Sequence, residues 1–316
     1  MWFRSMNDAK TKTTRDACRV HGVSLNPCLV YERGKVTFGG KTLNVIRDLH
    51  LMGYENAAAY LFAGGENGRQ LIDILREHNI PFEHEEIEGQ TIDVGIESPG
   101  KLIVKKENPS VSDENMENLE SRLRRNVKSG DIVLVAGSLP RNVSDKKFYE
   151  LISYFNNAGA ISVFDSSDTE SFKLAIEASP KIIKPNRKEI CDYLKLKQYP
   201  SSKLIKVLSS KLRELRDRKN IETILVSLDK DGAILSTEEG DFYACGLDIG
   251  IKCTFGAGDA LLAGYLLGCL KGLSPEERLR LAIASASSHI AHTLYQGLDF
   301  KEVQELQKKV EIEELK

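Results

Sequence analysis

The chain has 316 residues, 41% of them apolar and 28% charged, with a formal net charge of −2. That length supports one large α/β domain or two modest ones with a full core, and the composition excludes a disordered chain. The near-neutral balance excludes a basic nucleic-acid platform, and no apolar run reaches the ~18 residues that a bilayer-spanning helix needs.

The opening stretch "MWFRSMNDAKTKTTRDACRV" is polar and carries no apolar signal segment, which predicts a non-secreted, cytoplasmic protein. Residues 1–18 read as a polar extension, and 19–316 as one domain. Arg19–Leu25 reads as a first strand, and Leu43–Met52 as a helix with apolar residues at helical spacing. "AAAYLFAGG" reads as a strand ending in a glycine turn, followed by a helix in "GRQLIDILREHNI" with Leu71, Ile74 and Leu75 on one face. "TIDVGIESPGKLIVKK", from Thr91 to Lys106, alternates around Ser98-Pro99-Gly100 and predicts a hairpin, a small flap on the main sheet. Short aliphatic runs at 131–137, 160–165, 181–184 and 222–228 predict strands buried on both faces. "GAILSTEEGDFYAC" predicts a second hairpin, turning at Glu239-Gly240, and the last third from Ala257 reads as nearly all helical. Strands alternating with helices predict a mostly parallel sheet covered on both faces.

Six scattered cysteines form no C-x-x-C pair and have no partners at zinc spacing, which fits reduced thiols. "GKVTFGGKT", Gly34 to Thr42, has one residue too many for a Walker A loop. No G-x-G-x-x-G follows the first strand, so a dinucleotide-binding oxidoreductase is poorly supported. The strongest chemical signal is "CTFGAGDALLAGYLLG", Cys253 to Gly268. Gly256-Ala257-Gly258 is a tight turn opening an apolar helix, where backbone N–H groups and the helix field favour an anion. Asp259 follows in the first helical turn, as an N-cap or as a base aimed at a hydroxyl beside that anion. An Asp beside such a turn is what phosphoryl transfer requires.

"TFGAGDALLAGYL" resembles the C-terminal signature of the ribokinase-like carbohydrate kinases, the phosphofructokinase-B family. "SLNPC" (24–28), "GGK" with Asn44, "AGSLP" (136–140), "FDSS" (164–167), "IKPNRKEI" (183–190) and "VSLDKDGAIL" (226–235) follow that family's order. The combination resembles the 1-phosphofructokinase and tagatose-6-phosphate kinase branch most. The resemblance implies a three-layer ribokinase-like α/β fold with a small β lid, built around 26–40 and 91–106. It implies ATP and Mg²⁺, with Asp259 as the catalytic base and the N–H groups of Gly256, Ala257 and Gly258 as the anion hole. Lys184, Asn186, Ser227, Gly232 and Thr254 would lie along the ATP site. Asn186 and Glu189 would organise Mg²⁺ and its waters, although N-x-x-E after a strand is also a capping box. Asn26, Gly39, Gly40, Lys41, Asn44 and Ser138 would hold the acceptor, with Lys41 facing the acceptor's own phosphate.

Four departures concentrate on the acceptor side. Val30 stands where the family pattern LNPAxD has its acidic residue. The segment between "LNP" and "GGK" is short by roughly a dozen residues, which predicts a reduced lid, and reduced lids exclude water poorly. "GQTIDVGI" lacks the arginine of the family's T-R-x-N stretch; Thr42 replaces the final glycine of GGKG. The leading expectation is phosphorylation of fructose 1-phosphate to fructose 1,6-bisphosphate. Tagatose 6-phosphate, fructose 6-phosphate or an unphosphorylated sugar or nucleoside are alternatives, as is a non-catalytic ATP-binding relative. Monomer and homodimer both remain open, because the family often dimerises through lid strands.

Overall fold

A computed structural model describes residues 18–97, 101–102, 108–166, 169–197 and 201–315. Residues 1–17 of the polar extension, the Ser98-Pro99-Gly100 turn and Ser167 lie outside these. The first strand, β1 (Val20–Ser24), is followed by a short pair, β2 (Cys28–Glu32) and β3 (Lys35–Gly39), then α1 (Lys41–Leu51). Next come β4 (Ala57–Gly64), α2 (Gly65–Glu77), β5 (Phe82–Ile87), β6 (Ile92–Glu97) and β7 (Lys101–Leu102). The middle of the chain runs α3 (Asp113–Asn126), β8 (Ile132–Gly137), α4 (Lys146–Asn157), β9 (Ile161–Ser166), α5 (Thr169–Glu177), β10 (Ile182–Ile183) and α6 (Arg187–Tyr193). It closes with α7 (Ser201–Lys219), β11 (Thr223–Ser227), β12 (Ala233–Thr237), β13 (Gly240–Ala244), α8 (Ala257–Leu270), α9 (Pro275–Ala291), α10 (Phe300–Gln307) and β14 (Glu313–Leu315).

Ten strands form one sheet in the order β14-β13-β12-β11-β10-β9-β8-β1-β4-β5. From β11 to β5 every pairing is parallel, and the three pairings from β11 to β14 are antiparallel. The antiparallel end follows from chain economy. Thr237 pairs with Gly240 across a two-residue turn, and so short a link can only reverse the strand. Period-two burial divides each central strand between two cores: Ile132, Leu134 and Ala136 of β8 face one, Val133 and Val135 the other. Among the described residues, α1, α2, α8, α9 and α10 cover the first face and α3, α4, α5, α6 and α7 the second. α8 is buried from Asp259 to Leu270, as a helix that is apolar all round must be. α9 starts sharply because Pro275 follows Ser274, whose side chain forms a capping box with Glu277.

The flap expected on the main sheet belongs to a second, four-stranded sheet, β3-β2-β6-β7. β6 pairs in parallel with β2, not with the ten-stranded sheet. Its apolar face explains the choice: Cys28, Val30, Ile92, Val94 and Ile96 cluster with Cys253 and Leu294, and Phe255 packs against them. The chain after Ala257 is not helical to the end, since β14 returns to pair with β13. Both edges of the large sheet carry carboxylates, Glu83, Glu85 and Glu86 on β5 and Glu313 and Glu314 on β14. No helix among the described residues is long and apolar enough to cross a membrane.

Candidate active site

The strand order reverses direction between β8 and β1, because β1 leads to β4 on one side while β8 continues to β9 on the other. In an open α/β sheet, such a switch point leaves a crevice beyond the carboxyl ends of the strands. Asn26, just past β1, donates from Nδ2 to Ser138 Oγ, just past β8, at 2.8 Å. Gly40 lies beside both Pro27 and Ser24 and holds φ +114°, a conformation that a side chain would strain. This glycine lets the chain turn directly into α1, whose first residues face the crevice.

α1 then reaches two further elements. Lys41 Nζ donates to Asp165 Oδ1 at 2.8 Å, and Asn44 Nδ2 donates to Asp259 Oδ2 at 2.7 Å. Asp165, at the carboxyl end of β9, also pairs with Lys184 Nζ through Oδ2 at 3.2 Å. Lys184 and Asp165 are buried, whereas Lys41 keeps 27% of its side chain exposed. Lys184 Nζ lies 3.2 Å from where a side chain on Gly258 would begin, so its ammonium sits against the turn that opens α8. Alternating charge from Asp259 through Lys41, Asp165 and Lys184 thus lines the floor of the crevice.

Asp259 is 6% exposed. Burial pushes its carboxyl up from 3.8 to about 6; Lys41, the Asn44 hydrogen bond and Lys184 pull the other way, while Asp165 adds to the rise. A carboxylate held near 6 is ionised at neutral pH yet basic enough to take a proton in a transition state. For Lys41, burial acts to lower the ammonium, but the charges of Asp165 and Asp259 outweigh it and hold the group above the usual lysine range. It stays cationic. Burial raises the Glu189 carboxyl, opposed by the Asn186 backbone N–H and the two lysines.

The anion turn differs in detail from the expected ring of three donors. Gly256 adopts φ +88° as N-cap, and the N–H of Ala257 bends back to the Thr254 carbonyl at 3.3 Å. The N–H groups of Gly256 and Gly258 have no acceptor among the described residues. Two donors are therefore free, with Lys184 beneath them. Gly256, Ala257 and Gly258 are each half-buried and Thr254 is exposed, so the turn opens to solvent in front of Asp259.

Other expected residues fall at varying distances from this centre. Asn186 and Glu189 form a full capping box at the start of α6, with Glu189 N to Asn186 Oδ1 at 2.9 Å and Asn186 N to Glu189 Oε2 at 2.8 Å. Asn186 also bridges in parallel to Ser227. At Gly39 the place of the missing side chain is taken by Val30 Cγ2 at 2.4 Å and Cys28 Sγ at 3.0 Å, across the β2–β3 pair. Gly232 is likewise held by packing, with the Ala244 carbonyl 1.9 Å from its Cβ position. Asp165 was not singled out from the sequence beyond its place in "FDSS". The available signal was a carboxylate at the carboxyl end of a buried strand.

Comparisons with known proteins agree with this geometry. Residues 22–297 match the pfkB family of carbohydrate kinases. A 1-phosphofructokinase of Bacillus subtilis is 30% identical over 251 residues, 79% of this chain and 80% of that protein. The ATP-dependent 6-phosphofructokinase isozyme 2 of Escherichia coli is 27% identical over 88% of this chain and 94% of its own. A crystal structure of phosphofructokinase-2 from Escherichia coli in complex with substrates and products superposes with a TM-score of 0.83 at 23% identity, covering 92% of this chain and 99% of that one. A match across most of the fold, over a crevice carrying Asp259 at a glycine turn, places the chain in the pfkB carbohydrate kinase family, as an ATP-dependent sugar kinase.

Proposed function

We propose that the chain transfers the γ-phosphoryl of ATP to a hydroxyl of a sugar phosphate, with fructose 1-phosphate as acceptor and fructose 1,6-bisphosphate as product. The observation that carries this reading is the Asp259 carboxylate, held by Asn44 at 2.7 Å beside two unused N–H groups and two lysines. In the step itself, Asp259 takes the hydroxyl proton while the alcohol oxygen forms its bond to the γ-phosphorus. The bond from that phosphorus to the bridging oxygen breaks, and ADP leaves with the electron pair. Gly256 and Gly258 N–H groups hold charge on the transferring oxygens. Lys41, cationic and partly exposed between Asp165 and Asp259, suits either that charge or an acceptor phosphate.

A Mg²⁺ ion fits the residues present. Glu189 spends one carboxylate oxygen in the capping box, leaving the other for a hard cation, which keeps waters and phosphate oxygens as its remaining ligands. Glu189 and Asn186 would hold it, and when bound it would neutralise charge on the nucleotide phosphates. Among the described residues no cluster of three or more His, Cys, Asp or Glu side chains holds a metal unaided.

The acceptor assignment draws on similarity to the Bacillus subtilis 1-phosphofructokinase. A second reading, an unphosphorylated sugar, is favoured by the lid segment "GQTIDVGI", which carries no arginine to clamp an acceptor phosphate. ADP release measured with fructose 1-phosphate, tagatose 6-phosphate, fructose 6-phosphate, fructose, ribose and adenosine separates the two. The highest kcat/KM is expected with fructose 1-phosphate. Preference for fructose or ribose would establish the second reading, and no response to any acceptor would overturn both.

A further inference from the structure

A buried polar cluster lies behind the anion turn, outside every role assigned so far. His289 of α9 is fully buried, and its Nε2 lies 2.9 Å from the carbonyl oxygen of Phe255. A carbonyl can only accept, so Nε2 carries the proton. On the ring's other side Nδ1 faces Asp48 Oδ2 at 3.6 Å. The long contact on this side and the short one on the other fit a neutral ring whose single proton points at Phe255. Burial also favours the neutral form, against the pull of Asp48. Arg47 Nε holds the other Asp48 oxygen at 3.0 Å, and its Nη1 donates to the Leu294 carbonyl at 3.1 Å. The Leu294 N–H donates to Glu32 of the lid strand β2 at 2.9 Å. These contacts tie α1 and the lid to the segment after α9, while the ring's own hydrogen bond among the described residues runs from Nε2–H to the Phe255 carbonyl.

What the ring fixes is a peptide plane. The Phe255 carbonyl and the Gly256 N–H belong to one planar trans peptide unit, in which they point in opposite directions. Glycine at φ +88° gives that plane little steric resistance to rotation. A rotated plane would turn the Gly256 N–H away from the crevice and present a carbonyl oxygen to an incoming phosphate. We propose that His289 is a positioning residue for phosphoryl transfer, pinning the Phe255 carbonyl toward α9 so that the Gly256 N–H stays aimed at the transferring phosphoryl group. The ring also leaves no room for a side chain at 256, since Nε2 lies 2.9 Å from that Cβ position. This inference rests on residues 256–258 being the phosphoryl cradle.

Two substitutions of similar polarity separate the ring's two faces. His289→Gln keeps a donor at the reach of Nε2, toward Phe255. His289→Asn places its amide at the position of Nδ1, toward Asp48, and loses the donor toward Phe255. With ATP and fructose 1-phosphate, His289→Asn is expected to lower kcat by ~10–100-fold, with the KM for ATP changed less than threefold. His289→Gln is expected to stay within about threefold of wild type. Calorimetry supplies an arm independent of the acceptor: with Mg²⁺ present, His289→Asn should bind ADP normally and ADP with aluminium fluoride ~10-fold more weakly, because only the fluoride complex occupies the cradle. Equal losses in the two variants, or wild-type values in both, would overturn the inference. Asp259→Asn serves as the control. If it retains the wild-type rate the cradle itself is misassigned, and if it alone is inactive only the role of His289 fails.

Discussion

Replacing Asp259 with Asn should make the protein slower and sturdier at once. The side chain is almost the same size, and Asn can still present an oxygen to Asn44 Nδ2, so packing at the start of α8 is preserved. Losing the base costs roughly 10²–10⁴-fold in kcat. The gain in stability comes from the same burial that makes the carboxyl basic. Ionising a group held at about 6 in the folded chain, against 3.8 when exposed, costs about 3 kcal/mol at neutral pH. The sign follows from proton binding. Between these two values the folded state holds more proton at Asp259 than the unfolded chain does, so this residue lowers stability as pH rises from about 4 to about 6. The neutral Asn variant escapes that loss. Differential scanning calorimetry of both proteins at pH 4 and pH 7.5 should show similar Tm values at the lower pH. At the higher pH the variant should melt several degrees above wild type. An Asn variant with wild-type turnover would refute the role of base, and one with no relative gain at pH 7.5 would refute the account of the buried charge.

Further consequences can be measured on the same protein. kcat/KM should fall on acidification with an apparent pKa near 6, since protonated Asp259 accepts nothing; Asn44→Ala removes a donor to the carboxylate and should move that limb to higher pH. A limb unmoved by Asn44→Ala would detach the profile from Asp259. Asp165→Asn leaves the buried Lys184 ammonium without a carboxylate and should cost ~3–5 kcal/mol in urea unfolding; a loss under ~1 kcal/mol would show that the pair is hydrated. Gly256→Ala forces a side chain into a left-handed conformation against His289 and should lose ~2 kcal/mol of stability together with most of the turnover. An Ala variant of normal stability and rate would mean that the turn relaxes freely.

The sequence made the parts of this molecule built from neighbouring residues legible. Gly256-Ala257-Gly258-Asp259 is local: the turn, the helix it opens and the acid in its first turn occupy four successive positions. The strands were visible because buried parallel strands are continuous aliphatic runs, as in β4 and β8. Parts that depend on distant pairing were not. Alternation marked 91–97 as a strand, yet nothing in it says that its partner is β2 and not the main sheet. β14 has three residues, too few for any periodicity to register. Asp165 meets Lys41 across 124 positions and Lys184 across 19, and a strand-end aspartate has no local mark to distinguish it. At Gly39 and Gly232 the sequence shows only a glycine near a motif, and not that the protein's own chain fills the place of each missing side chain.

The glutamates of β5 and β14 have an outcome for the molecule in bulk. A sheet ten strands wide offers two rows of open backbone groups to any other copy. Glu86 on one border and Glu313 and Glu314 on the other are exposed, so copies meeting rim to rim would press like charges together. Replacing these three glutamates with glutamine removes that guard, and self-association should then begin at the flanks of the sheet while its centre is still folded.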